Sequence, residues 1–151
     1  MSRVDFYHLQ IKKLEDVLPK LLEKAYGLDK KVVVRVGNSE RVEFLNGVLW
    51  TYDEQSFLPH GSKKDGAAGM QPIWLTADDD VPNNAEFLFL VDGASADMQE
   101  ILGFERVFNV FDGNSNEALE KARAFWKELK NEGIEVFYWQ QSANGSWQQK
   151  A

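Results

Sequence analysis

Apolar residues along this chain recur in two periods that take turns, and the alternation predicts the elements. Phe6 to Leu9 forms a short first strand. From Leu14 to Tyr26 the apolar positions fall at 14, 17, 18, 21, 22 and 25, the spacing of a helix, with Gly27 placed to close it. Pro19 lies inside this pattern and predicts either a kink or a later start. Lys31 to Val36 contains the β-branched run Val32-Val33-Val34, as expected of a parallel strand buried on both faces. Gly37-Asn38-Ser39 then opens a second helix through Leu45 and Leu49.

From Tyr52 to Pro72 the pattern lapses into polar residues with Gly61, Gly66 and Gly69, which predicts a long loop. Ile73-Trp74-Leu75 makes a brief strand, Thr76 to Ala85 a polar turn and Phe87 to Val91 a further strand. Asp97 to Leu102 suits one or two helical turns, followed by a strand over Arg106 to Phe111. Asn114, with Glu117 three residues on, predicts a capping box for a last long helix between Asn116 and Glu132. Gly133 ends that helix, Ile134 to Gln140 is the final strand, and the tail is polar except for Trp147. Strands alternating with helices predict an α/β fold. The expected architecture is a Rossmann-like three-layer sandwich, with a mostly parallel central sheet and helices on both faces. A chain of 151 residues suits one domain over 1–151.

The last helix carries two stripes. Leu119, Ala122, Trp126 and Leu129 are the apolar one. Arg123, Lys127 and Lys130, at i, i+4 and i+7, lie on the adjoining face. The chain as a whole has net charge −7. A small cationic, aromatic-edged face on an anionic body suits a short acidic peptide better than a long polyanion. The plain structural reading is that Trp126 is core and the basic residues are a solvated face. The negative balance also weighs against sequence-independent DNA binding, which depends on neutralising phosphates.

Composition adds exclusions. The absence of cysteine rules out disulfides, thiolate metal ligands and a cysteine nucleophile. Met1-Ser2-Arg3-Val4-Asp5 lacks the order of a signal peptide, and no apolar run nears the roughly 18 residues of a membrane span. A cytoplasmic location is expected. Gly61-Ser62-Lys63-Lys64-Asp65-Gly66 lacks the ending of a P-loop, and GxGxxG does not occur. His8 and His60 would need carboxylate help to hold a metal. Asp78-Asp79-Asp80, beside Val81-Pro82, suits a solvated turn. Asp53, Ser56 and His60 lie within eight residues on a loop, with no elbow to present the serine, and are expected to be a coincidence. No catalytic residue, metal or cofactor is expected.

Several patches together resemble a known family. They are Phe6-Tyr7-His8-Leu9, Leu49-Trp50, Ser56-Phe57-Leu58-Pro59-His60 and Pro72-Ile73-Trp74, then Ala122-Arg123 with Trp126-Lys127, and Trp147 near a lysine-bearing end. In this order they resemble the chi subunit of bacterial DNA polymerase III, an accessory protein of the clamp-loader assembly. The resemblance implies a non-catalytic bridge that touches DNA only indirectly and is a monomer when alone. One surface would bind the psi subunit or an equivalent clamp-loader partner, and carries over to Trp50, Phe57, Pro59 and His60. Another would hold the acidic C-terminal tail of the single-stranded DNA-binding protein, and carries over to Arg123, Trp126 and Lys127. Lys130 would meet the aspartates, and Trp126 with Val107 and Phe108 would receive the terminal Phe. Trp50 and Phe57 could equally fold back over the sheet. The chain departs from the family's pattern at its end, where Gln148 and Gln149 separate Trp147 from Lys150. Asp78 to Pro82 resembles the acidic tail itself without its terminal groups. The alternative is a Rossmann-like nucleotide-binding protein or enzyme with an unfamiliar site; a third reading is direct single-strand binding through the aromatics.

Overall fold

The computed structural model describes residues 2–53, 55 and 57–151. Its elements in chain order are β1 (Arg3–Leu9), α1 (Leu14–Gly27), β2 (Val32–Val36), α2 (Ser39–Thr51) and β3 (Gly61–Ser62). There follow β4 (Ile73–Thr76), β5 (Phe87–Val91), α3 (Met98–Leu102), β6 (Arg106–Asp112), α4 (Asn116–Asn131), β7 (Glu135–Gln141) and β8 (Trp147–Gln149). One eight-stranded sheet runs β3-β4-β2-β5-β6-β1-β7-β8. All its pairs are parallel except the closing β7–β8 hairpin. This is the expected three-layer α/β sandwich.

Strand alternation builds a core on each face. Val32, Val34, Phe87, Phe89, Tyr7 and Phe108 face the layer of α1 and α2. Val33, Leu88, Leu90, Val4, Phe6 and Val107 face the layer of α3 and α4. The four valines of β2 are buried, as a central parallel strand requires.

Helices α1 and α4 end in the same motif, on different residues. In α4 the Ile134 amide bonds Leu129 O and the Gly133 amide bonds Lys130 O, with Gly133 at φ 73°. That is the glycine stop expected from the sequence. In α1 the left-handed residue is Asp29, at φ 61°, two positions beyond Gly27, and the Lys30 amide reaches Ala25 O. Gly27 is an ordinary helical residue. Pro19 sits among the buried residues of α1, which begins at Leu14, so the later start is not adopted.

Further expectations are corrected. The N-cap of α4 is Ser115, whose hydroxyl accepts from the Ala118 amide; Asn114 instead bonds Gln10 O. The capping box belongs to α3, between Asp97 and Glu100. The 52–72 segment is not all loop. It holds β3 and a 3-10 turn, organised by Asp65, whose carboxylate accepts from the Ser62 amide at 2.9 Å and Asn46 Nδ2 at 2.8 Å. The polar tail returns as β8, with Trp147 packed edge-on to Tyr7. β1 begins at Arg3, three residues earlier than the apolar pattern shows.

Candidate partner-binding site

Helix α4 lies over β6 and β7 because Ala122 and Leu129 bury themselves there. Trp126 follows them only halfway. Its ring meets Phe6 edge-on at 5.3 Å and Tyr138 at 5.7 Å, which leaves one side at the surface. Arg123, Lys127 and Lys130 are exposed around it, and none forms an ion pair among the described residues. Lys130 Nζ stands 5.8 Å from the Trp126 ring centroid. The sequence-predicted residues of this site are therefore gathered on one ledge. Neither plain reading of Trp126, as core or as surface, covers it by itself.

The strand residues sort differently. Val107 is fully buried beneath the ledge, in the same layer as Trp126. Phe108 points through the sheet to the other face, where it stacks on Phe89 at 4.3 Å. Neighbouring residues of a strand face opposite ways, so Phe108 cannot share a pocket with Trp126. Tyr138 takes that place. It shares a face with Val136, as period-two counting along β7 shows, and the fold sets that face under α4.

Beneath the ledge, Tyr138 OH and His8 Nδ1 share a hydrogen bond of 2.6 Å. Burial lowers the His8 pKa, and the Arg123 guanidinium lowers it further, against Asp112. Burial raises the Tyr138 hydroxyl, with Arg123 opposing. Arg123 thus projects its charge over a neutral polar pair. The packing there is tight: a Cβ on Gly113 would lie 2.0 Å from the His8 ring.

A second patch gathers Trp50, 50% exposed, and Phe57, 72% exposed, with ring centroids 6.3 Å apart. Pro59 is half-buried beside them. His60 is only 2% exposed. It backs Trp50 at 4.4 Å while its ring nitrogens face Leu58 O and Asn46 O. His60 is a support under the patch rather than a contact on it. Trp50 and Phe57 do not fold back over the sheet.

The crevice where such folds bind nucleotides lies between β2 and β5, whose connections run to opposite sides of the sheet. It is filled here. The Asp92 carbonyl stands 1.8 Å from where a Gly37 Cβ would be. The Asp92 carboxylate takes Arg41 Nε at 2.9 Å, and Lys121 of α4 bonds Gly93 O. A carboxylate and a carbonyl occupy the ground a phosphate would need. Elsewhere, Asp80 closes its own turn by accepting from Trp74 Nε1 at 2.9 Å and Thr76 Oγ1 at 2.5 Å. Only Asp78 and Asp79 are left as a free acidic step. Among the described residues no group of three acidic or histidine side chains is placed to hold a metal. Ser56, of the Asp53, Ser56 and His60 set, lies outside the described residues. No helix among those described is long and apolar enough to cross a membrane.

Fold and site together define a three-layer α/β protein with an exposed cationic ledge on α4, an exposed aromatic patch at Trp50 and Phe57, and a closed strand-end crevice. The model of the family described as DNA polymerase III chi subunit, HolC, matches residues 1–137. A relative from Rickettsia prowazekii (strain Madrid E), named probable DNA polymerase III subunit chi, is 33% identical over 111 residues. The match covers 74% of this chain and 66% of that relative's length. The chain belongs to the DNA polymerase III chi subunit family.

Proposed function

We propose that this protein is a non-catalytic adaptor of DNA replication. In this reading the α4 ledge takes the acidic C-terminal tail of a single-stranded DNA-binding protein. The Trp50–Phe57 patch docks a psi-type subunit of the clamp loader. The observation that carries it is the ledge itself: three exposed cations without ion-pair partners among the described residues, around the open side of a half-buried tryptophan. Arg123 or Lys127 would pair the terminal carboxylate, Lys130 the aspartates, and Trp126 with Tyr138 would receive the terminal ring.

A charge-assisted hydrogen bond is worth about 1.5–3 kcal/mol, roughly tenfold or more in affinity. Arg123→Ala and Lys127→Ala are each expected to weaken tail binding about tenfold, and Trp50→Ala to leave it unchanged. Affinity should also fall with salt, because exposed charges are screened over about 8 Å at physiological ionic strength. Calorimetric titration of the three variants checks this. Full tail affinity in both charge deletions would show that the ledge is not the site.

A further inference from the structure

The β7–β8 hairpin closes the sheet beside α4, and its register decides which side chains stand there. Gln140 lies opposite Gln148 and Trp139 opposite Gln149, so Tyr138 lies opposite Lys150. The Lys150 amide bonds Tyr138 O at 2.7 Å, and the Tyr138 amide bonds Ala151 O, which carries the pairing past β8. Residues directly opposite in an antiparallel pair put their side chains on one face, with Cβ atoms about 5 Å apart. Tyr138 faces α4, where its ring meets Trp126. Lys150 therefore stands on the α4 face as well. Alternation along the strand agrees from the other end: Trp147 packs on Tyr7 in the opposite layer, and Lys150 is three residues on.

Half-buried Tyr138 is thus flanked on both sides, by Trp126 of α4 and by Lys150 beyond β7. Lys150 is exposed and forms no ion pair among the described residues. It joins Arg123, Lys127 and Lys130 in that respect. β7 and β8 carry one acidic side chain between them, Glu135. That residue is opposite Arg3 in the β1–β7 register, on the face of Asp5 and away from α4. Gln140 and Gln148, which share the face of Lys150, are uncharged. The α4 side of the hairpin is positive on a chain of net charge −7.

We propose that Lys150 is a further binding residue for an acidic peptide tail, forming with β8 a second wall across from the α4 ledge. The inference rests on the reading of that ledge as the tail site and deepens it. An extended peptide points successive side chains to opposite sides. A helix on one side can pair only every second carboxylate of an acidic run. The alternate carboxylates need a cation on the other side, and Lys150 is the residue that the hairpin puts there. A terminal ring laid on Tyr138 then has Trp126 on one flank and Lys150 on the other. Arg123 and Lys127 are left to the terminal carboxylate, while Lys150 meets the aspartates from across the strand.

The test is calorimetric titration of the whole protein with an acidic peptide ending in Asp-Ile-Pro-Phe. Lys150→Gln should weaken binding about two- to fivefold, the worth of one exposed ion pair. Lys150→Glu should weaken it about tenfold, because it sets a like charge against the aspartates. Lys64→Glu, the same change of charge in the turn after β3, should leave affinity unchanged. The sharpest variant exchanges two neighbours, Gln149→Lys with Lys150→Gln. It keeps the net charge and moves the cation to the opposite face of the sheet, so it should bind as weakly as Lys150→Gln. Full affinity in Lys150→Glu or in the exchanged variant overturns the inference, as does an equal loss in Lys64→Glu. If Arg123→Ala still weakens binding in that case, the α4 site stands and only its second wall falls. Absence of peptide binding by the unaltered protein overturns both.

Discussion

Replacing Asp5 by asparagine is expected to lower the unfolding free energy by about 3–5 kcal/mol, the cost of breaking a buried ion pair from one side. The carboxylate is fully buried in β1. It accepts from Arg3 at 2.8 and 2.9 Å, from Arg106 at 3.1 and 2.9 Å, and from Trp139 Nε1 at 2.9 Å. Three adjacent strands therefore meet on one side chain. Asparagine keeps an acceptor but removes the charge that two guanidiniums share. Acid acts on the same group. Burial pushes its pKa up, but hydrogen bonds from Arg3, Arg106 and Trp139 outweigh that and hold it below the ordinary carboxylate value. The contribution is thus present above the ordinary range and lost as pH falls through the lowered value. Urea unfolding at neutral pH and along an acid series checks both parts. The variant should lose stability at neutral pH and show a flatter acid limb. A loss under about 1 kcal/mol would mean that the cluster contributes little.

Gly37→Ala is expected to cost about 3 kcal/mol, the upper end for overpacking, because the obstruction is main chain. The new Cβ would lie 1.8 Å from the Asp92 carbonyl oxygen and 2.9 Å from its carbon. The Asp92 turn has little freedom to withdraw. Asp92 already holds φ 52° and Gly93 φ 83°, and Arg41 and Lys121 pin the turn from two helices. Gly27→Ala is the matched comparison. Nothing lies within 4 Å of its Cβ position, and the residue is helical. That change should be neutral or stabilise by up to about 1 kcal/mol. Thermal melting of the two variants separates close approach from a general sensitivity to losing glycine. Equal midpoints would contradict the packing described between β2 and the turn after β5.

The same residues show how far the sequence could be read. The β2 valines, the helical period of α1 and α4 and the Gly133 stop are local signals, and the fold follows them. What escaped depended on contacts between distant residues. Asn114 had the chemistry of a cap, but Gln10 O claims its side chain, and Ser115 takes the position. Gly27 was the obvious helix stop, yet Asp29 accepts the left-handed conformation instead. β8 is three residues long and exists because Trp147 packs on Tyr7. The ledge on α4 was legible because a helix face is set by spacing. Its floor was only half legible. Counting by two along β6 separates Val107 from Phe108, but which of them faces α4 is decided by the sheet order. His60 has the look of a surface residue in a loop, and only the fold reveals it as buried against two backbone carbonyls.

The most direct measurement is titration of the whole protein with a labelled acidic peptide ending in Asp-Ile-Pro-Phe, beside the same peptide with an amidated terminus. An adaptor that grips a terminal carboxylate at Arg123 or Lys127 should bind the free acid saturably. Amidation should lower affinity at least about tenfold, the loss of one charge-assisted contact. Equal binding of both peptides, or binding of neither, would contradict the tail site on α4.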